Sequence, residues 1–359
     1  MTWAEAWRRV QIGLRAAIDE HGKQSIATYL GNPTAHSLDT MTFIRVLLRA
    51  VGSRQRYSAA TVDQAPKQVA SGYLFGSAAA VAVPDIDRTD FLLILGANPQ
   101  ESNGSLCVAP DWPGRMRAIQ ARGGKIVTVD PRRTRTAVKS DEWIGIRPAT
   151  DAAWLLSVIH VIFADRLADP GERLTPYLAG LAEIRALSAE FSPADTERYT
   201  GISAEVTARL AREFAAAERA VAYGRMGTTT TRFGTITSWL IDVLNTITGN
   251  LDEPGGAMFA RPAIGGLLPA AEPGGRGFAT GRSRTRVRGL PEVLGEFPVA
   301  ALAEEIATPG PGQVRTLITV AGNPFSPLPT ARRSKRHSPG WTSWSVSISI
   351  STKRPSTPT

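Results

Sequence analysis

Cysteine is nearly absent from this sequence, which has Cys107 and no other in 359 residues. A single thiol excludes an internal disulfide and any iron–sulfur cluster whose cysteine ligands all come from this chain. We therefore expect no iron–sulfur cluster in this chain and interpret Cys107 as a buried, inert thiol. Long apolar runs are absent too, since no stretch approaches the roughly 18–20 residues that cross a membrane. With an N-terminus that lacks a signal-peptide pattern, this predicts no membrane span and, by default, a cytoplasmic location.

Acidic residues are absent from residues 331–359, which carry six lysine and arginine side chains. This tail accounts for six of the nine net positive charges, and residues 1–330 keep only +3. Proteins that bind nucleic acid concentrate basic residues on their folded domains, so we expect no nucleic-acid partner. The composition, 43% hydrophobic and 20% charged, is typical of a globular protein, and the length suffices for two or three lobes.

Two apolar runs, residues 91–95 and 126–129, have the length and composition of buried strands. Residues 116–122 between them predict a short helix, so the unit has a βαβ pattern. We expect the two strands to be adjacent and parallel, in a sheet covered by helices on both faces. The Gly-x-Gly-x-x-Gly pattern is absent after Leu95, which argues against a third reading of the chain, a nicotinamide-dependent dehydrogenase.

Polar residues follow each predicted strand. Gly96, Asn98 and Ser102 come after the first, and Asp130 and Arg132 come after the second. Ligands of parallel sheets bind at the carboxyl ends of the strands, where glycine permits close backbone approach, an acid accepts from a ribose or base, and arginine binds phosphate. The pattern indicates a nucleotide ligand, and an ordinary α/β turn is the alternative.

The rest of the chain also alternates between helical and strand patterns. Helical periodicity occurs over residues 3–20, 40–50, 151–167, 203–218 and 235–248. Short strand candidates are residues 25–30, 221–223 and 317–321. The sequence therefore predicts an α/β fold.

The order and spacing of several motifs resemble those of the molybdopterin oxidoreductases of the dimethyl-sulfoxide reductase type, which include formate dehydrogenases and nitrate reductases. The motifs are Thr-Trp-Ala-Glu-Ala (2–6), Tyr-Leu-Gly-Asn-Pro (29–33), Gly-Ala-Asn-Pro-Gln-Glu-Ser (96–102), Asp-Pro-Arg-Arg-Thr (130–134), Arg-Pro-Ala-Thr-Asp (147–151), Leu-Asn-Thr-Ile-Thr-Gly-Asn (244–250) with Pro-Gly-Gly (254–256), and Ala-Gly-Asn-Pro (321–324). The resemblance covers residues 1–329.

The resemblance implies two interwoven α/β lobes. Residues 1–52 would join residues 222–330 in one lobe, and residues 53–221 would form a second, Rossmann-like lobe with a parallel sheet. The implied cofactor is molybdenum bis(molybdopterin guanine dinucleotide), held in the cleft between the lobes. Positions that match one guanine dinucleotide site are Gly96, Asn98, Ser102, Val129, Asp130, Arg132, Thr150 and Asp151. Positions that match turns of the other lobe, facing the pterins, are Gly227, Thr228, Gly322 and Asn323.

Asp63 stands where the resemblance places the protein ligand of molybdenum, in a loop before the 91–95 strand. A carboxylate is a reasonable hard ligand for an oxidised metal. One alternative is that Asp63 caps a helix that Pro66 helps to start, and another is that Ser58 or a different residue is the ligand. If Asp63 is the ligand, it is also the catalytic residue of this chain.

The implied function is transfer of an oxygen atom or a hydride equivalent to or from a small-molecule substrate. Because the chain matches the middle of the larger enzymes, we expect an inactive fragment of an enzyme that works with an electron-transfer subunit or an iron–sulfur protein. The alternative is a metal-free protein of the same fold that serves as an electron-transfer or structural subunit. Residues 331–359 lack helical periodicity, and a slip of one base near residues 326–330 would explain them as a disordered, frame-shifted tail.

Overall fold

The computed structural model describes residues 1–261 and 275–323. The helices are α1 (Trp3–His21), α2 (Leu38–Val51), α3 (Ala60–Asp63), α4 (Ala65–Phe75), α5 (Pro99–Ser102), α6 (Trp112–Ala121), α7 (Arg135–Lys139), α8 (Asp151–Ala164), α9 (Gly171–Leu174), α10 (Leu181–Ala189), α11 (Pro193–Thr200), α12 (Ala204–Ala216), α13 (Met226–Thr229), α14 (Gly234–Ile247) and α15 (Leu302–Ala307). The strands are β1 (Ile26–Leu30), β2 (Arg56–Ser58), β3 (Ala82–Pro84), β4 (Phe91–Leu95), β5 (Lys125–Val129), β6 (Glu142–Ile144), β7 (Ala220–Gly224), β8 (Ala257–Phe259), β9 (Thr280–Arg284), β10 (Pro291–Val293) and β11 (Thr316–Val320). The predicted tail, residues 331–359, lies outside the described residues.

Several helices begin and end where local chemistry favours it. The hydroxyl of Thr2 accepts a hydrogen bond from the N–H of Glu5 at the start of α1, and Ser203 caps α12 in the same way. Gly52 and Gly76 follow α2 and α4 with φ values of 68° and 71°. Capping hydroxyls satisfy backbone N–H groups that lack helical partners, and glycine adopts the left-handed conformation that ends a helix at little cost.

The chain forms two compact units, Met1–Val62 with Ala279–Thr359, and Asp63–Phe278. These boundaries differ from the predicted lobes, which placed residues 222–278 with the N-terminal segment and residues 53–62 in the other lobe. The physical reason is strand pairing. β7 pairs with β4 over five residues and carries the following chain into the second unit, whereas β2 pairs with β1 in the first unit.

The second unit is built on a four-stranded parallel sheet in the order β6-β5-β4-β7. β4 and β5 are neighbours in this sheet with α6 between them in sequence, which confirms the predicted parallel pair. All five residues of β4 are buried, as expected for a strand covered on both faces. One face packs against α8 and α12, and the other packs against α6.

Helix α8 illustrates how apolar composition reflects this burial. Nine of its fourteen residues are buried. Trp154, Leu155 and Ile159 are fully enclosed in the core beneath the sheet. In the ranges that the structure describes, no helix combines the length and apolar character that crossing a membrane requires.

The first unit contains a three-stranded parallel sheet in the order β11-β1-β2 and an antiparallel pair formed by β9 and β10. Tyr29 of β1 packs on one side of the sheet with α15, and Ile26 packs on the other side with residues of α1 and α2. Both described units therefore have parallel sheets with helices packed on them, which confirms the predicted α/β class.

Candidate functional site

The turns that follow β4 and β7 are in direct backbone contact. Gly96 has a φ of 53°, and its carbonyl oxygen accepts a hydrogen bond of 2.8 Å from the N–H of Gly227. A Cβ atom on Gly96 would lie 2.8 Å from the backbone nitrogen of Thr228. Position 96 therefore needs glycine both for its left-handed backbone and for this close approach.

This contact corrects the prediction that Gly227 and Thr228 come from the other lobe. Both residues belong to the second unit, because β7 is hydrogen-bonded to β4 and ends at the same sheet edge. Motif order along a sequence carries no information about which strands pair, so the sequence could not place them there.

Gly322 and Asn323, predicted together with those two residues, follow β11 in the first unit. The chain passes Gly31 closely at this point, and a Cβ atom on Gly31 would lie only 1.9 Å from the oxygen of Ala321. The backbone at Gly31, after β1, is thus packed against Ala321 and Gly322, after β11, within that unit.

Asn98 and Ser102 lie on the turn after β4 and around α5. The Asn98 side-chain oxygen accepts hydrogen bonds from the hydroxyl of Thr136 at 2.6 Å and from its backbone N–H at 3.3 Å. The Ser102 hydroxyl donates to the Asn98 carbonyl at 3.2 Å. These bonds attach the turn to α7, so its shape is fixed by the fold before any ligand binds.

Asp130 directly follows β5 at the same end of the sheet. The oxygen of Val129 accepts a 3.0 Å hydrogen bond from the N–H of Gly96, which joins the two turns. The Asp130 carboxylate accepts a 2.8 Å hydrogen bond from the N–H of Arg132. Burial raises the pKa of this carboxyl above its usual value, and the N–H and charge of Arg132 oppose that shift.

Asp151 begins α8, next to the predicted Thr150. Its side chain is almost completely buried, with 5% exposure. Burial raises the pKa of Asp151 to about 6, against a lowering by its own backbone N–H, and the charge of Asp130 raises it further. The carboxylates of Asp130 and Asp151 are therefore close enough to interact. Two negatively charged hydrogen-bond acceptors therefore stand at one edge of the sheet.

Asp63 is the last residue of α3, whereas the sequence predicted a loop. Its backbone oxygen accepts a 2.7 Å hydrogen bond from the hydroxyl of Thr229, which anchors it to the turn after β7. Burial raises the pKa of the Asp63 carboxyl, and the positive charge of Arg225 opposes this effect. The Asp63 backbone is therefore held at the turn after β7, and its half-buried carboxylate interacts electrostatically with Arg225.

The two alternatives for Asp63 find less support. The residue before α4 is Gln64, and no side-chain capping bond is made at that helix start. The Ser58 hydroxyl is buried and donates a short hydrogen bond to the Glu296 carboxylate.

Arg225 was not predicted as a site residue, although it directly follows β7 and lies two positions before the predicted Gly227. It is 7% exposed, and burial lowers the pKa of its guanidinium while Tyr223 and Asp63 oppose the shift. The sequence shows an arginine in a Gly-Arg-Met-Gly turn, and such a residue is usually exposed. Only the packing around it reveals a buried cation.

The groups at this sheet edge fit a nucleotide cofactor. They combine close-packed glycine turns, two carboxylates, and buried guanidinium N–H groups that have no partner among the residues that the structure describes. Among the described residues, no group of three or more His, Cys, Asp and Glu side chains is arranged to hold a metal ion.

The family model for molybdopterin oxidoreductases matches residues 1–337. The chain belongs to the molybdopterin oxidoreductase family. This confirms the membership that the motifs predicted, and it implies a molybdenum–pterin cofactor.

Relatives in this family carry out several reactions. The chain is 28% identical over 259 residues to the thiosulfate reductase molybdopterin-containing subunit PhsA of Salmonella typhimurium, covering 71% of this chain and 32% of the relative. It is 28% identical over 256 residues to formate dehydrogenase H of Escherichia coli, covering 71% and 35%. It is 26% identical over 369 residues to the periplasmic nitrate reductase of Desulfovibrio desulfuricans, covering 93% and 46%. The chain thus spans less than half the length of these relatives.

The fold is similar to that of acetylene hydratase from Pelobacter acetylenicus, with a TM-score of 0.73 and 18% sequence identity. The match covers 94% of this chain and 48% of that one. At this identity the similarity concerns the fold alone, and it agrees with the predicted molybdopterin oxidoreductase architecture.

Proposed function

We propose that this chain forms part of a site for molybdenum bis(molybdopterin guanine dinucleotide). The protein to which it contributes would transfer an oxygen atom or a hydride equivalent to or from a small-molecule substrate. The observation that carries the proposal is the edge of the β6-β5-β4-β7 sheet, where the Gly96 turn meets the Gly227 turn and the Asp130 and Asp151 carboxylates interact. Parallel sheets bind nucleotides at this edge.

Each residue type has a role suited to one half of a guanine dinucleotide. Asp130 and Asp151 would accept hydrogen bonds from the base or ribose, and Arg132 would pair with phosphate. Asn98, Ser102, Val129 and Thr150 would shape and line the same half-site. The turns that hold Gly227, Thr228, Gly322 and Asn323 would face the pterins.

Asp63 would be the protein ligand of the metal and hence the catalytic residue. When bound, the molybdenum centre would supply the change of oxidation state that the reaction requires. The chain's own contribution is to hold the Asp63 backbone in place through Thr229 and to keep its carboxylate half-buried. A separate electron-transfer subunit or iron–sulfur protein would exchange electrons, because one cysteine cannot ligate a cluster.

Elemental and nucleotide analysis of the purified chain tests this proposal. We expect molybdenum together with guanine nucleotide, in a ratio of one to two. A folded chain with neither would contradict the proposal and favour the alternative, a metal-free electron-transfer or structural subunit of the same fold. X-ray absorption at the molybdenum edge tests Asp63 separately: Asp63→Ala should lose one oxygen ligand, with Asp19→Ala as the control, and an unchanged metal environment would exclude Asp63.

A further inference from the structure

Arg225 occupies a central position between the predicted site residues. It directly follows β7, and its backbone N–H donates a 3.2 Å hydrogen bond to the oxygen of Leu95 at the end of β4. The next residues form the Gly227 turn. The side chain therefore starts at the sheet edge where the two turns meet, and it is 7% exposed.

Among the described residues, only one of the three guanidinium nitrogens of Arg225 has hydrogen-bond partners. Nη2 donates to the side-chain oxygen of Gln64 at 3.1 Å and to the hydroxyl of Ser105 at 2.8 Å. Nε and Nη1 are buried and have no partner in the part of the chain that the structure describes. Gln64 directly follows Asp63, so the same guanidinium holds the segment that carries the proposed metal ligand.

An unpaired N–H on a buried cation is costly. Leaving a buried donor unsatisfied is unfavourable, and more so when the group is charged. A role limited to holding Gln64 and Ser105 would leave this cost uncompensated, since both of those bonds come from Nη2. A bound group that accepts from Nε and Nη1 would compensate it.

The surroundings of Arg225 indicate what that group is. The residue lines a cavity of about 10 Å³ together with Tyr223, Lys67 and Asp242. This space admits roughly one oxygen-sized atom. Lys67 and Asp242 pair with each other at 2.6 Å, and Asp63 is the carboxylate whose charge acts on Arg225, yet no described group accepts from Nε or Nη1. An anionic oxygen would accept from both donors in charge-assisted hydrogen bonds, which are stronger than those to a neutral water molecule.

We infer that Arg225 is a binding residue that donates Nε–H and Nη1–H to an anionic oxygen of a molecule bound beside Asp63. The location of this group rests on the proposed function, but the anion-binding chemistry does not. Two sources share the chemistry: a phosphate group of the cofactor, and an oxyanion substrate such as a carboxylate or an inorganic oxyanion.

Thermal unfolding of the chain without cofactor tests the inference. Sulfate and pyrophosphate are titrated at constant ionic strength against chloride, with wild type, Arg225→Gln and Arg117→Gln compared. Arg117 is an exposed arginine on α6 and serves as the matched control. We expect oxyanions to raise the unfolding temperature of wild type and of Arg117→Gln, with an affinity at least about tenfold lower in Arg225→Gln. Equal oxyanion stabilisation in all three proteins would overturn the inference.

Two further comparisons deal with a variant that does not fold and distinguish the two possible sources of the anionic oxygen. If Arg225→Gln does not fold, Arg225→Lys keeps the charge but loses the paired donors, and it should show the same weakening. In protein loaded with cofactor, loss of molybdenum and guanine in the variant would assign the oxygen to cofactor phosphate. Retained cofactor with weaker binding of an oxyanion substrate would assign it to the substrate. If wild type binds oxyanions through Arg225 but contains no molybdenum or guanine, the proposed function fails and this inference stands.

Discussion

The N–H of Gly227 donates a 2.8 Å hydrogen bond to the carbonyl oxygen of Gly96. This bond joins the ends of β7 and β4, which lie 129 positions apart at their first paired residues, Phe91 and Ala220. It places two predicted binding turns in van der Waals contact, and the absence of side chains at both positions makes that contact possible. The geometry of the candidate site therefore depends on backbone packing at these two glycines.

Substitution of Gly96 by alanine should destabilise the chain through two separate effects. The left-handed backbone costs alanine about 1–2 kcal/mol, and the added Cβ would crowd the Thr228 nitrogen at 2.8 Å. Gly123 is a matched control, because its φ is 86° and nothing lies within 4 Å of an added Cβ. In urea unfolding we expect Gly96→Ala to cost roughly 1–3 kcal/mol more than Gly123→Ala. Equal losses would show that crowding at Gly96 is relieved without cost.

Asp151 should make the stability of the empty chain fall as pH rises. Its folded pKa of about 6 lies above the ordinary value of 3.8, so the folded state binds the proton more tightly than the unfolded state. The stabilisation that the proton on Asp151 gives the folded state is complete below pH 3.8 and is lost as the pH rises through 6. The free energy of unfolding of Asp151→Asn should therefore exceed that of wild type, by almost nothing at pH 4 and by about 3 kcal/mol at pH 7. Unfolding curves at several pH values measure this, and a constant difference would contradict the assignment.

The Lys67–Asp242 pair should behave as a buried ion pair between α4 and α14. Lys67 Nζ lies 2.6 Å and 2.7 Å from the two Asp242 oxygens, and the residues are 6% and 1% exposed. Lys67→Met should lower the free energy of unfolding by about 3–5 kcal/mol, because an unpaired carboxylate remains inside. The double variant Lys67→Met/Asp242→Leu should recover most of the loss. No recovery would mean that packing, and not charge, determines the cost.

Much of the fold could be predicted because its signals are local. The apolar run of residues 91–95 and the helical periodicity from residue 151 were visible in the sequence, and the structure has β4 and α8 there. The neighbouring positions of β4 and β5 followed from a short connection, since consecutive parallel strands usually lie side by side.

The site was harder to predict because its contacts are long-range. The partner of Gly96 lies on β7, and no local pattern predicts that pairing. The burial of Arg225 likewise depends on Gln64 and Ser105, which lie 161 and 120 positions away. Asp63 was expected on a loop, yet it ends α3, because the four residues from Ala60 form one helical turn. Burial and pairing of this kind arise only when distant segments pack.

The central claim is that the edge holding Asp130 binds guanine dinucleotide, and nucleotide release from purified protein tests it most directly. Guanine content per chain is compared for wild type, Asp130→Ala and Asp19→Ala, an exposed acid on α1. Loss of a half-buried acceptor for the ligand costs about 1–3 kcal/mol, so Asp130→Ala should retain about one-tenth or less of the guanine under dilute conditions. Asp19→Ala should match wild type. Guanine content that is equal in all three proteins, or absent from folded wild type, would contradict the account.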